Sequence, residues 1–177
     1  MDTPISGRNA IWHEDLTCWF DGADQDARQV IMDIRSTFGA NARYPLHFED
    51  VRAIRDSGQA AAARVLRAGC SVASQGLLAA TELACQRAIG KKMSAALPQA
   101  SGILLVVSTS DFATQADEVQ ALMRRVLGYL TEDAFCVWSL VMDESLPAEC
   151  PRVSLVIACL AHPAAACAEE HRQGELR

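Results

Sequence analysis

The chain has 177 residues, of which 50% are apolar and 21% charged, the proportions of a globular domain, and they exclude wholesale disorder. A chain of this length buries roughly 70% of the surface it exposes when unfolded, so neither a disulfide nor a metal is needed to explain folding. Lys and Arg number 16 against 22 Asp and Glu, a net charge of −6 without a basic stripe; this argues against nucleic acid as a partner, because phosphates need a basic surface.

The 7 cysteines are scattered and form no CxxC pair: Cys18, Cys70, Cys85, Cys136, Cys150, Cys159 and Cys167. Most sit in apolar runs, as reduced structural cysteines of a cytosolic protein do. The opening Met1-Asp2-Thr3-Pro4 lacks the charged-then-apolar layout of a signal peptide. The apolar runs at 103–107 and 134–142 fall well short of the ~20 residues of a membrane span. A soluble, cytoplasmic protein is therefore expected, without a membrane partner.

Residues 1–23 show no clear period. Ile11, Trp12, Leu16, Trp19 and Phe20 are interleaved with charged residues, as in a short strand or hairpin packed on this domain or on a partner. Trp12, Trp19 and Phe20 are candidate interface aromatics, since aromatic anchors dominate binding energy. Asp24 or Asp26 is placed to cap a helix over 26–38, with Val30, Ile31, Ile34 and Phe38 on one inward stripe and Gly39 as its stop. A loop over 40–46 contains Pro45. A short helix over 48–56 turns Phe48, Val51 and Ile54 inward. Residues 60–68 open with four alanines, which favour helix locally.

A helix over 73–89 places Leu77, Leu78, Ala84, Ala88 and Ile89 inward, and 91–100 is a loop containing Pro98. The aliphatic stretch 102–109 has the length and β-branching of a buried strand, and 110–114 turns. The clearest helix covers 117–130, with Val119, Leu122, Met123, Val126, Leu127 and Leu130 on one face. Asp117 and Glu118 fall in its first turn, where the macrodipole favours anions. A strand over 134–142 and a turn over 143–150 come next. The last strand, 151–160, alternates Val153, Leu155 and Ile157 with Arg152, Ser154 and Val156. Residues 162–177 read as an Ala-rich, then charged, frayed tail. This order predicts an α+β layered sandwich around one four-stranded mixed sheet, with the helices at 73–89 and 117–130 on one face.

Two motifs are considered and set aside. Residues 85–92 end in Gly90-Lys91-Lys92, but a phosphate loop needs Gly where Cys85 stands and Ser or Thr where Lys92 stands. Cys159, His162, Cys167 and His171 can be drawn as a zinc set, yet they mix a strand residue with an Ala-rich tail. A Cys–His dyad has no pocket signature behind it. No catalytic residue, cofactor or metal is assigned.

Several segments taken together carry a resemblance. Phe48-Glu49-Asp50-Val51-Arg52 runs into a short helix, and Gly102-Ile103-Leu104-Leu105-Val106-Val107 comes after a long one. Phe112 precedes Asp117-Glu118-Val119, and Arg152-Val153-Ser154-Leu155-Val156-Ile157-Ala158 closes the set. In this order, residues 44–161 resemble the C-terminal domain of the FtsZ/tubulin family, closer to FtsZ. The helix over 26–38 is similar to the end of the family's central helix, so 24–161 is expected to be one domain with 24–43 as that helix end. The resemblance makes 60–68 a strand, against its alanine content.

The family binds GTP through an N-terminal domain with a Gly-rich phosphate loop. No such run of glycines stands here, so the resemblance implies a chain that by itself binds no GTP and is not an enzyme. The family's synergy loop places an Asn and two acidic residues in the GTP site of the next subunit, where a carboxylate orients the attacking water. Those positions are held here by Pro45, His47 and Asp50. Pro45 offers neither a side-chain amide nor an N–H, and His47 offers a different charge, so only Asp50 keeps its type and the loop is impaired as an activator. Asp50 is equally suited to capping the short helix.

The resemblance therefore implies a non-catalytic, FtsZ-like protein-interaction domain in bacterial cell division. Its expected surface, Pro45, His47, Phe48 and Asp50, docks on the nucleotide-bearing end of an FtsZ-type subunit and caps the filament. Two alternatives stay open: a self-associating structural domain of unrelated role, and a small ligand-binding module or enzyme on the same layers, since fold does not fix function.

Overall fold

The computed structural model describes residues 25–56, 64–72, 76–147 and 150–160. The sheet is built on the aliphatic run. β2 (Ala100–Thr109) is buried along nearly its whole length, and Ile103, Leu104, Leu105, Val106 and Val107 are completely inaccessible. A strand buried on both faces needs strands on both edges and helices above and below. β3 (Phe135–Met142) pairs parallel to β2, from Gly102 opposite Phe135 to Thr109 opposite Met142. β4 (Arg152–Leu160) pairs antiparallel on the other side and carries β1 (Arg64–Val72), also antiparallel, at the outer edge. The order across the sheet is β1-β4-β2-β3. This is the expected mixed four-stranded sheet, and with five α-helices among the described residues the fold is α+β.

Alternation along the strands divides the core into two layers. Ile103, Leu105, Val107, Val153, Leu155 and Ile157 face α3 (Leu77–Ile89) and α5 (Phe112–Leu127), so the two long crossover helices share one face, as expected. Leu104, Val106, Val156 and Ala158 face the other way. They meet Val30, Ile31 and Ile34 of α1 (Gln25–Ser36) and Val51 and Ile54 of α2 (Phe48–Asp56). On the α3 side, Gly69 of β1 lies directly under the helix. A Cβ at this position would stand 2.0 Å from the Ala84 carbonyl oxygen.

Several expectations are corrected. The strand that the resemblance places over 60–68 runs on to Val72, paired with β4 at every position from Arg64; the alanines at 60–63 lie outside the described residues. The region 91–100 is not a loop. It holds α4 (Met93–Ala96) and a 3₁₀ turn, Leu97–Gln99, with Pro98 at a first-turn position that needs no N–H. Met93, Ala96 and Leu97 there are core residues.

α5 begins at Phe112, so Asp117 and Glu118 are not in its first turn. Glu118 instead acts on a neighbour: its Oε2 accepts the Leu77 N–H that opens α3, at 3.2 Å. Gly39 is not a left-handed stop for α1. That helix closes with i→i+3 bonds from the amides of Thr37, Phe38 and Gly39, while the Ser36 and Thr37 hydroxyls donate to the Asp33 and Ile34 carbonyls. Phe38, beyond that end, is 38% exposed, and Leu78 and Leu127 are 49% and 53% exposed. The last two each come directly after a buried residue, one helical step of 100° around the axis. The aromatic arm and the tail at 162–177 lie outside the described residues. No described helix is long and apolar enough to cross a membrane.

Candidate functional site

The segment between α1 and α2 runs along the edge of β3. Arg43 N–H donates to Leu140 O at 2.8 Å and Met142 N–H to Asn41 O at 2.9 Å, the two bonds that bracket an antiparallel bridge between Ala42 and Val141. After Arg43, the segment's next N–H to face the sheet would be that of residue 45, which is proline and has none. The ladder stops there. Tyr44 O takes the Ser139 hydroxyl instead, at 2.7 Å, and the Tyr44 ring rests on Trp138 with centroids 5.0 Å apart. Leu46 turns into the core at 6% exposure, so the chain is pinned on both sides of Pro45 while Pro45 itself stays exposed.

Each candidate residue can be placed on this frame. His47 is exposed, and its carbonyl accepts the Asp50 and Val51 amides that begin α2. The Asp50 carboxylate reaches back to the His47 N–H at 3.0 Å. This is the acidic half of a capping box: the carboxylate satisfies an otherwise orphan donor at the helix start. Phe48 is half-buried, with the Arg52 guanidinium 5.0 Å above its ring. Pro45 and His47 are thus exposed and Phe48 and Asp50 half-buried, with the Asp50 carboxylate engaged in holding α2. Trp12, Trp19 and Phe20 lie outside the described residues.

A polar cluster just past the end of β3 that holds Asn41 is absent from the sequence-based expectations. Asp33 of α1 is buried at 3% exposure. Arg152 of β4 grips it with two bonds, Nε to Oδ2 at 3.0 Å and Nη2 to Oδ1 at 2.7 Å. The Ser154 hydroxyl and the Gln29 amide also donate to Asp33. Arg152 Nη2 reaches Asp143, just past β3, at 2.7 Å. Burial opposes the charge on Arg152, but Asp33 and Asp143 outweigh it and hold the guanidinium protonated. The Ser145 hydroxyl, helped by Arg152, keeps the Asp143 carboxyl below the usual carboxylate range. One sequence signal was available: Asp33 falls on the apolar stripe of α1, between Ile31 and Ile34. A buried acid requires a partner.

Of the two motifs set aside, the stretch at 85–92 fits no anion site. The stretch 85–92 covers the C-terminal end of α3, where Gly90 (φ +68°) caps the helix and donates to Gln86 O at 2.7 Å. That end presents carbonyl groups, the wrong pole for an anion. Cys159 lies within β4, and the other members of the drawn zinc set are outside the described residues. Among the described residues, no three His, Cys, Asp or Glu side chains gather as metal ligands.

No family model matches the chain, and no curated protein matches it. Solved structures do. A point mutant of FtsZ from M. jannaschii matches over 90% of this chain with a TM-score of 0.54 and 18% identity. CetZ from Methanosaeta thermophila matches over 84% with a TM-score of 0.56 and 14% identity. The chain corresponds to only 42% and 43% of those two proteins. The likeness is one of fold: the chain folds as a partial FtsZ/tubulin-like domain.

Proposed function

We propose that the chain is a non-catalytic interaction domain that docks through residues 44–52 on the nucleotide-bearing end of an FtsZ-type subunit and caps the filament there. One observation carries the reading: a partial FtsZ-like fold holds this segment on the β3 edge with Pro45 and His47 facing solvent. Such a cap does not speed hydrolysis, because proline and histidine stand at two of the three activating positions and the Asp50 carboxylate is bonded to the His47 N–H. The test is light-scattering assembly of FtsZ with GTP, with and without this protein at stoichiometric amounts. Shorter or fewer filaments are expected. Unchanged amplitude and turnover refute the reading.

Self-association is the second reading. It is favoured by β1, which among the described residues pairs only with β4 and so leaves a sheet edge. Sedimentation separates the two: a stable dimer that leaves FtsZ assembly unchanged supports self-association and excludes capping.

A further inference from the structure

The segment 41–47 hangs between two anchors. Upstream, α1 leads directly into it. Alongside, the end of β3 pairs with it, and Met142, the residue that holds Asn41 O, is succeeded by Asp143. One guanidinium touches both anchors. Arg152 forks onto Asp33 in α1, three residues before that helix ends, and reaches Asp143 from the same Nη2. Asp143 is itself fixed. Its N–H donates to Thr109 O at 2.9 Å, and its Oδ1 accepts the Ser145 N–H at 3.1 Å and the Ser145 hydroxyl at 2.5 Å.

We propose that Arg152 is a positioning residue for the 41–47 surface, acting through Asp143 on the β3 end and through Asp33 on α1. The proposal deepens the docking reading given above and rests on it for its biological meaning. Its physical content is independent. Without the bridge, the end of β3 and the end of α1 open separately, and the two amide bonds that hold residues 41 and 43 open with them. A lysine at 152 keeps the charge but offers a single point where a planar fork is required. An asparagine at 143 leaves the Arg152–Asp33 pair in place, but its single amide oxygen cannot accept from both Ser145 and Arg152; with that oxygen kept on Ser145, the bond and the charge that Arg152 meets are both lost.

Amide hydrogen exchange by NMR on the isolated full chain is the test, with Asp143→Asn and Arg152→Lys compared to the parent. The Arg43 and Met142 amides are expected to exchange at least about tenfold faster in both variants, because local opening is set by local contacts. The Trp138 indole resonance is expected to shift as Tyr44 loosens, while Leu104, Leu105 and Val156 in the core stay protected. Unchanged exchange at Arg43 and Met142 overturns the proposal. So does equal acceleration throughout β2 and β4, which marks a general loss of stability. The FtsZ assembly assay is a separate arm. Local loosening together with a parent protein that leaves FtsZ unaffected refutes docking and sustains positioning. Capping by the parent with unchanged exchange in the variants does the reverse.

Discussion

Replacing Gly69 with alanine tests how closely α3 rests on the sheet. The new Cβ would meet the Ala84 carbonyl oxygen at 2.0 Å, the Ala84 carbonyl carbon at 2.9 Å and the Ala88 nitrogen at 2.8 Å. All three belong to helix backbone, so no side chain can swing aside. Restoring tolerable contact lifts the helix by at least about 1 Å over a core that includes Leu77, Ala80 and Ala84, and overpacking of this kind costs about 3 kcal/mol. Lower entropy of the unfolded chain returns about 0.5 kcal/mol of that. For a chain of this size each kcal/mol shifts the midpoint by roughly 3 °C, so the melting temperature should fall by about 8 °C. Gly90→Ala is the control. Its Cβ meets nothing within 4 Å, and only the left-handed backbone is penalised, by about 1 kcal/mol. Urea denaturation monitored by circular dichroism ranks the two. Loss of less than about 0.5 kcal/mol in Gly69→Ala, within the range of an ordinary surface change, would refute the packing argument.

Three further outcomes are expected. Glu118→Ala, which strips the carboxylate from the start of α3, should cost about 1 kcal/mol by urea denaturation, the value of a helix cap; no change would mean that solvent serves Leu77 equally well. The Asp143 carboxyl is held below its unfolded value of 3.8, so its stabilisation is complete above that pH and is lost as the pH falls through the lower folded value. Acid titration of Asp143→Asn should therefore show a smaller drop below about pH 4 than the parent, and parallel curves would contradict the assignment. Burial pushes the Cys85 thiol up to about 12 and the Cys136 thiol up to about 11, so at pH 8 both should resist alkylation until the chain is unfolded. Peptide mass spectrometry reads this directly, and rapid labelling of either residue in the native protein would refute it.

The reach of each signal determined how much of the fold was legible in the sequence. β2 was legible because five aliphatic residues in a row, 103–107, allow little else. The faces of α1 and α5 were legible because Val30, Ile31 and Ile34, and Val119, Leu122, Met123 and Val126, keep a helical period. Edges of these stripes misled: Phe38, Leu78 and Leu127 share the character of their buried neighbours and sit one step around or past the helix. The turn of α4 was hidden because four residues cannot show a period and Pro98 reads as a break.

The candidate surface divides the same way. Pro45, His47, Phe48 and Asp50 could be picked out by their order, and the bond from Asp50 to its own helix start is local enough to anticipate. The Asp33–Arg152 pair joins positions 119 apart in the chain, and no local pattern reports a distance of that kind. Glu118 shows the same limit, since it serves a helix start 41 residues away.

A single imino acid decides what becomes of the fifth position in this sheet. Were residue 45 to carry a hydrogen on its nitrogen, the run begun at Ala42 and Val141 would have one more donor to offer along Trp138. Because it carries none, that donor is missing, and an exposed proline stands beside β3 in its place.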